Sequence, residues 1–260
     1  MTRILAIASE KGGVAKTTTA VSLGGALVKQ GQDVLLVDLD PQASLTLAMG
    51  IPPHSVRRSL ADVLLNSATP VSVSRETAIP GLDILPASSE LILAERFLPI
   101  RRAYKQLLRQ ALAKMPLYDT IILDCPPSLG VLTHLAMVAC QMLIIPTTPE
   151  YLSIYALRNM LRDIQTVREQ ENPGLNYRLL ITMLDLRVRS HATLSQQLRA
   201  TFGEAVLQTV IQVDTRLRDS AVAGLPITHF AASARSAKQY TALAQEILQY
   251  VRTESVTQTA

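Results

Sequence analysis

Ten residues near the start of the chain, Ser9-Glu10-Lys11-Gly12-Gly13-Val14-Ala15-Lys16-Thr17-Thr18, carry the groups that a bound phosphate needs. Gly12 and Gly13 let the backbone turn sharply and bring its N–H groups close to an anion. An amphipathic segment begins near Lys16, and the start of a helix offers unpaired N–H groups and the positive end of its dipole. Lys16 adds a point charge, and Thr17 a hydroxyl of the kind that ligates Mg2+. The general pattern G-x-x-x-x-G-K-[ST] is not met letter for letter, because Glu10 and Ala15 stand at its glycine positions. What stands there is Lys-Gly-Gly-x-x-Lys-Thr-Thr, with an extra lysine, Lys11, at the loop entry. Two solvated lysines on a glycine-rich turn would have the same composition. Ala15 is expected to keep ordinary backbone angles at the helix start.

Two acidic stretches could complete such a site. Asp38-Leu39-Asp40-Pro41-Gln42 follows an apolar run, and Asp124-Cys125-Pro126-Pro127-Ser128 follows another. A carboxylate at the end of a buried strand can hold Mg2+ directly or through water, which assigns Asp124 to the metal together with Thr17. An Asp-Pro turn that merely ends a strand is the competing reading of the first stretch.

These residues need elements to place them. Ile4 to Ala8 reads as a buried strand, Thr17 to Gln30 as a helix closed by Gly31, and Asp33 to Asp38 as a second strand with both faces covered. Further strands are expected at 82–86, 118–124, 143–147, 179–183 and 210–214. Helices are expected at 59–65, at 88–114 with a break near Pro99, and at 152–170, 215–223 and 236–252. Alternation of this kind implies an α/β fold: a doubly wound, mostly parallel twisted sheet with helices on both faces, its ligands at the carboxyl ends of the strands. A single domain over 1–252 and a disordered tail over 253–260 are the expected organisation.

Composition sets the bounds. The chain has 260 residues, 48% of them hydrophobic, and a formal net charge of +4, which favours one large core over disorder. Most of the 25 basic residues are arginine, the better side chain for planar contact with phosphates. Cys125 and Cys140 have no metal-type spacing and read as buried thiols. No segment looks like a signal peptide or a membrane span, so a cytoplasmic protein is expected.

Lys11 to Thr18 resembles the deviant Walker A motif of the ParA/MinD/Soj family of dimeric ATPases, Asp38 to Gln42 its D-x-D-P-Q switch segment, and Asp124 to Pro127 its Walker B and switch II segment. The resemblance runs from Arg3 to about Val251. It implies ATP and Mg2+ as cofactors, with Lys11, Gly12, Gly13, Val14, Ala15, Lys16, Thr17 and Thr18 around the nucleotide. Lys11 would cross to the partner's nucleotide in an ATP-dependent homodimer. Asp40 would orient the attacking water and stand near the metal, with Asp38 in support. Met183 and Asp185 fall where the family lines its base pocket, and Asp214 falls in the segment next to the base.

The family also implies non-specific DNA as a ligand and a ParB-like or cargo-adaptor protein as a partner. Arg178 to Arg218 is the most basic region of the chain, and Arg187, Arg189, Arg216 and Arg218 are its DNA-binding candidates, with Arg199 a further member of the patch. Arg216 matches the last arginine of the family's P-R-N-V-R segment, whereas Gln212, Val213 and Asp214 depart from its first three positions. The end of the chain lacks the basic amphipathic anchor of MinD-type proteins, so no membrane partner is expected. A metabolic or iron–sulfur carrier of the same superfamily is the rival reading, for which the cysteines are ill placed. A nucleotide-dependent scaffold without DNA binding is the other.

Overall fold

The structure, a computed structural model, describes residues 2–115 and 117–257. Five short apolar runs form the middle of the sheet: β1 (Arg3–Ile7), β2 (Val34–Asp38), β4 (Leu82–Leu85), β5 (Thr120–Asp124) and β6 (Met142–Thr147). With the two-residue β3 (Arg75–Glu76) and the outer β7 (Asn176–Leu184) and β8 (Val206–Gln212), the strand order is β3-β4-β2-β5-β1-β6-β7-β8. All neighbours are parallel except β3 on β4. The near-continuous apolar character of β2 and β5 follows from burial on both faces, and every residue of each is buried.

One face is covered by α1 (Lys16–Val28), α2 (Ser44–Ala48), α11 (Ile227–Phe230) and α12 (Arg235–Thr257), packed with Leu5, Ile7, Leu36 and Ile122. α10 (Arg216–Val222) lies against α11 on this side. The other face carries α3 (Leu60–Leu65), α4 (Pro70–Val73), α5 (Leu91–Phe97), α6 (Leu107–Leu112), α7 (Val131–Ala139), α8 (Tyr151–Gln170) and α9 (Arg189–Phe202). Ser59 starts α3 with a capping box, its side chain accepting from the Ala61 amide while Asp62 accepts from the Ser59 amide.

Several sequence expectations change. The helix expected over 88–114 is broken into α5, two 3-10 turns and α6, because Pro99 lacks the N–H a continuous helix needs and Ala103 takes a left-handed turn at φ 57°. β8 starts at Val206, ahead of the expected Val210. The last helix continues to Thr257 where the sequence reading stops it at Arg252, and nothing from Arg235 to Thr257 is Gly or Pro. Residues 258–260 of the expected tail lie outside the described residues. No helix among the described residues is long and apolar enough to cross a membrane.

Candidate nucleotide site

β1, β2 and β5 end side by side, and their register sets Ile7 and Asp38 on either side of Asp124. The loop leaving β1 therefore opens over two aspartates. Gly13 has φ +74°, a left-handed conformation natural to glycine, and Ala15 has φ 66° as the N-cap of α1. This corrects the expectation for Ala15: its methyl group sits in the left-handed region, at a cost of about 1 kcal/mol. Thr182 on β7 fixes the loop from beneath, its hydroxyl donating to the Val14 carbonyl at 3.0 Å.

Ala15→Gly is accordingly expected to raise the thermal unfolding midpoint by about 2–4 °C and to leave phosphate binding in place. A fall in the midpoint would show that the methyl group packs better than the backbone strains.

Lys16, only 8% exposed, donates from Nζ to the Lys11 carbonyl at 3.1 Å and so points back over the loop. Burial lowers its pKa, and Asp124 opposes that shift. Thr17 Oγ1 donates to Asp124 Oδ2 at 2.7 Å. The second carboxylate oxygen, Asp124 Oδ1, is buried with no hydrogen-bond partner. Burial and then the charge of Asp38 push the Asp124 pKa well above the usual range, with Thr17 and Lys16 pulling against them. A buried orphan oxygen beside a hydroxyl and a lysine suits a hard cation. Among the described residues no cluster of three or more His, Cys, Asp or Glu groups is arranged for a metal. The donor set therefore fits an ion that keeps most of its waters, as Mg2+ does.

The two aspartates after β2 have different surroundings. Asp38 is fully buried and accepts from the Thr46 amide at 2.8 Å, the Thr46 hydroxyl at 2.7 Å and the Asp40 amide at 3.0 Å. Its pKa is pushed up to about 6 by burial, against the pull of those hydrogen bonds. It fixes the loop and α2. Asp40, 9% exposed, uses Oδ1 to accept from the Gln42 amide at 2.8 Å. The Leu39 amide donates to the Asp124 carbonyl at 2.9 Å, which ties this segment to β5.

Lys11 is held within its own chain. Its Nζ makes a salt bridge with Glu150 and donates to Ser153 Oγ at 2.8 Å and Thr148 Oγ1 at 3.4 Å, all at the start of α8. Glu10 beside it accepts from Asn159 of α8 at 3.1 Å. Neither Glu150 nor Asn159 stands out as a partner in the sequence.

The outer candidates lie at the ends of β7 and β8, Met183 next to the Thr182 that bonds the loop. Met183 takes φ 54° where the β7–β8 register shifts, and 38% of it is exposed. Asp185 is forked by Arg187, with Nη2 to Oδ2 at 2.7 Å and Nε to Oδ1 at 2.9 Å. That guanidinium, through its side-chain hydrogen bond first, holds the Asp185 carboxyl far below the usual range. Asp214 accepts from Ser236 Oγ at 2.9 Å and the Arg216 amide at 3.1 Å, joining the end of β8 to the start of α12. A cavity of about 600 Å3 opens instead beside Thr17 and Thr18, walled by Val21, Ser22, Leu47, Ala48, Leu217 and Val222. Met183, Asp185 and Asp214 do not line it. Arg189, Arg216 and Arg218 are exposed on the connections after β7 and β8. Cys125 and Cys140 are buried free thiols, and burial pushes the Cys140 pKa up to about 12.

A glycine-bearing loop between β1 and α1, a lysine folded over it and an acid at the end of a neighbouring parallel strand define a P-loop nucleotide-binding protein. Residues 2–177 match the model of a family described as an AAA domain. The chromosome partitioning protein ParA of Caulobacter vibrioides is 38% identical over 95% of this chain and 94% of its own length. Soj of Bacillus subtilis, a sporulation initiation inhibitor protein, is 36% identical over 95% of this chain and 98% of its own. The crystal structure of cobyrinic acid a,c-diamide synthase from Mycobacterium smegmatis, with bound ADP and magnesium, superposes with a TM-score of 0.86 at 35% identity, covering 98% of this chain and 97% of that one. The chain belongs to the ParA family of partitioning ATPases within that domain family.

Proposed function

We propose that this chain hydrolyses ATP with Mg2+, dimerises in the ATP state, binds DNA without sequence preference in that state, and is released when a partner protein stimulates hydrolysis. The observation that carries the nucleotide part is the Thr17–Asp124 hydrogen bond with an orphaned Asp124 oxygen beside Lys16. The N–H groups of Gly12 through Thr18 and the Lys16 ammonium would cradle the phosphates. Thr17 and Asp124 would hold Mg2+, which when bound neutralises charge on the phosphate oxygens. Asp40 would orient the attacking water and accept its proton, for which its uncommitted Oδ2 is available. Met183, Asp185 and Asp214 are weaker base-pocket candidates than the walls of the cavity beside Thr18, since Arg187 and Ser236 already engage the two acids.

Lys11 would act on the partner's nucleotide only after leaving Glu150. Lys11→Ala is expected to keep monomer nucleotide binding and lose ATP-dependent dimerisation. Glu150→Gln should strengthen dimerisation about threefold, because a part-exposed ion pair is worth up to about 1 kcal/mol. Light scattering with and without ATP reads both, and a loss of monomer nucleotide binding in Lys11→Ala equal to that in Lys16→Ala would place Lys11 in cis.

The DNA part is supported by the exposed arginines after β7 and β8. Arg187 moves down the order, because its guanidinium is already paired with Asp185. Arg216, Arg218 and Arg189 lead. DNA retention measured with ATP, ADP and no nucleotide across a salt series should show binding with ATP alone. The slope of log affinity against log salt should flatten by about 1 for each contacting arginine removed. An unchanged slope in Arg216→Ala with Arg218→Ala, dimerisation being intact, would move the DNA surface elsewhere. A second reading follows from the name of the Mycobacterium smegmatis neighbour, that of an amide-forming synthase. An absence of DNA retention in all three nucleotide states would favour it.

A further inference from the structure

α5 sends one acid toward the site. Glu95 sits on the face of α5 that meets α7, and its Oε1 lies where a side chain at Gly130 would go: a Cβ there would stand 3.0 Å from Glu95 Oε1 and 3.5 Å from Ser128 Oγ. Gly130 is the N-cap of α7 and has no side chain to accept from the first amides of that helix. It also ends the Asp124–Gly130 loop, whose first residue is the orphaned acid. Its φ of −80° suits any residue, so what a side chain at Gly130 would have to displace is the end of the Glu95 side chain.

A second observation links Glu95 to the opposite wall. Burial first, and then the charge of Asp40, hold the Glu95 carboxyl above its ordinary range. Glu95 thus feels the residue proposed to orient water, while resting against the loop on the other side of the site.

We propose that Glu95 is a positioning residue for hydrolysis: its carboxyl group is the stop against which Gly130 rests, fixing the first turn of α7 and with it the loop from Asp124 to Gly130. This rests on the ATPase reading above. Closeness of this kind tolerates no added methyl group unless Glu95 gives way, so the two residues should behave as one unit.

The test combines steady-state ATP hydrolysis with amide hydrogen exchange over residues 127–133. Glu95→Ala should lower kcat about tenfold while KM for ATP stays within about twofold, and Glu95→Gln, which keeps the shape and one oxygen, should retain kcat within about threefold. Gly130→Ala should lose kcat to a similar extent, and the double variant Glu95→Ala with Gly130→Ala should be no worse than either alone. Exchange over residues 127–133 should quicken in Glu95→Ala. Wild-type kcat in Glu95→Ala, additive losses in the double variant, or a rise in KM that matches the fall in kcat would each overturn the proposal. If the wild type does not hydrolyse ATP while exchange quickens in Glu95→Ala, the ATPase reading fails and the contact between Glu95 and α7 stands.

Discussion

Lys16→Ala is expected to weaken ATP binding by at least about a hundredfold, roughly 3 kcal/mol, with the fold intact. The side chain is largely buried, its hydrogen bond among the described residues goes to the loop's own backbone, and Asp124 faces it. Its removal takes a buried cation from the loop, and Lys11 is committed to Glu150 in the same structure. A charged group buried next to phosphate acts through charge-assisted hydrogen bonds, which are about twice as strong as neutral ones. Titration calorimetry with a slowly hydrolysed ATP analogue is the direct measurement. Affinity within about threefold of the wild type would remove Lys16 from the phosphate site.

Asp40→Ala should behave in the opposite way: ATP affinity within a few-fold of wild type, and hydrolysis slowed about a hundredfold to ten-thousandfold. The reasoning is positional. Asp38 is fully used by Thr46 and the Asp40 amide and cannot take over, whereas Asp40 keeps one oxygen free of backbone donors. The variant should accumulate as the ATP dimer and stay on DNA. Phosphate release at the wild-type rate would show that the water is oriented by another group.

The strands around the site were legible because an apolar run buried on two faces has few alternatives, and each such run ended in a residue type with a use: Asp38, Asp124 or the glycine pair. α7 was missed because Val131 to Ala139 is apolar almost all round, so it shows no face. α9 was missed because its sequence is largely polar and buries only Leu198. The roles of individual acids were beyond reach. Asp38 and Asp40 are two residues apart and look alike in sequence, yet contact with Thr46 makes one a structural clamp. Lys11 and Glu150 meet across 139 residues, a distance no local pattern reports. Asp185 and Arg187 form a pair at i and i+2 that could have been read as local charge cancellation, and it lowers the value of both as ligand contacts.

Ala15, Ala43 and Met183 are non-glycine residues in left-handed conformations, and all three sit at the carboxyl edge of the sheet, at the starts of α1 and α2 and the end of β7. Each is a place where glycine would relax the backbone, by about 1 kcal/mol. A laboratory selection for heat resistance should therefore find the rim of this site early, and the variants it collects there are the ones to check for lost turnover. For anyone engineering the chain, the safer gains lie at Ser67 and Ala103, which share the same left-handed geometry away from that rim.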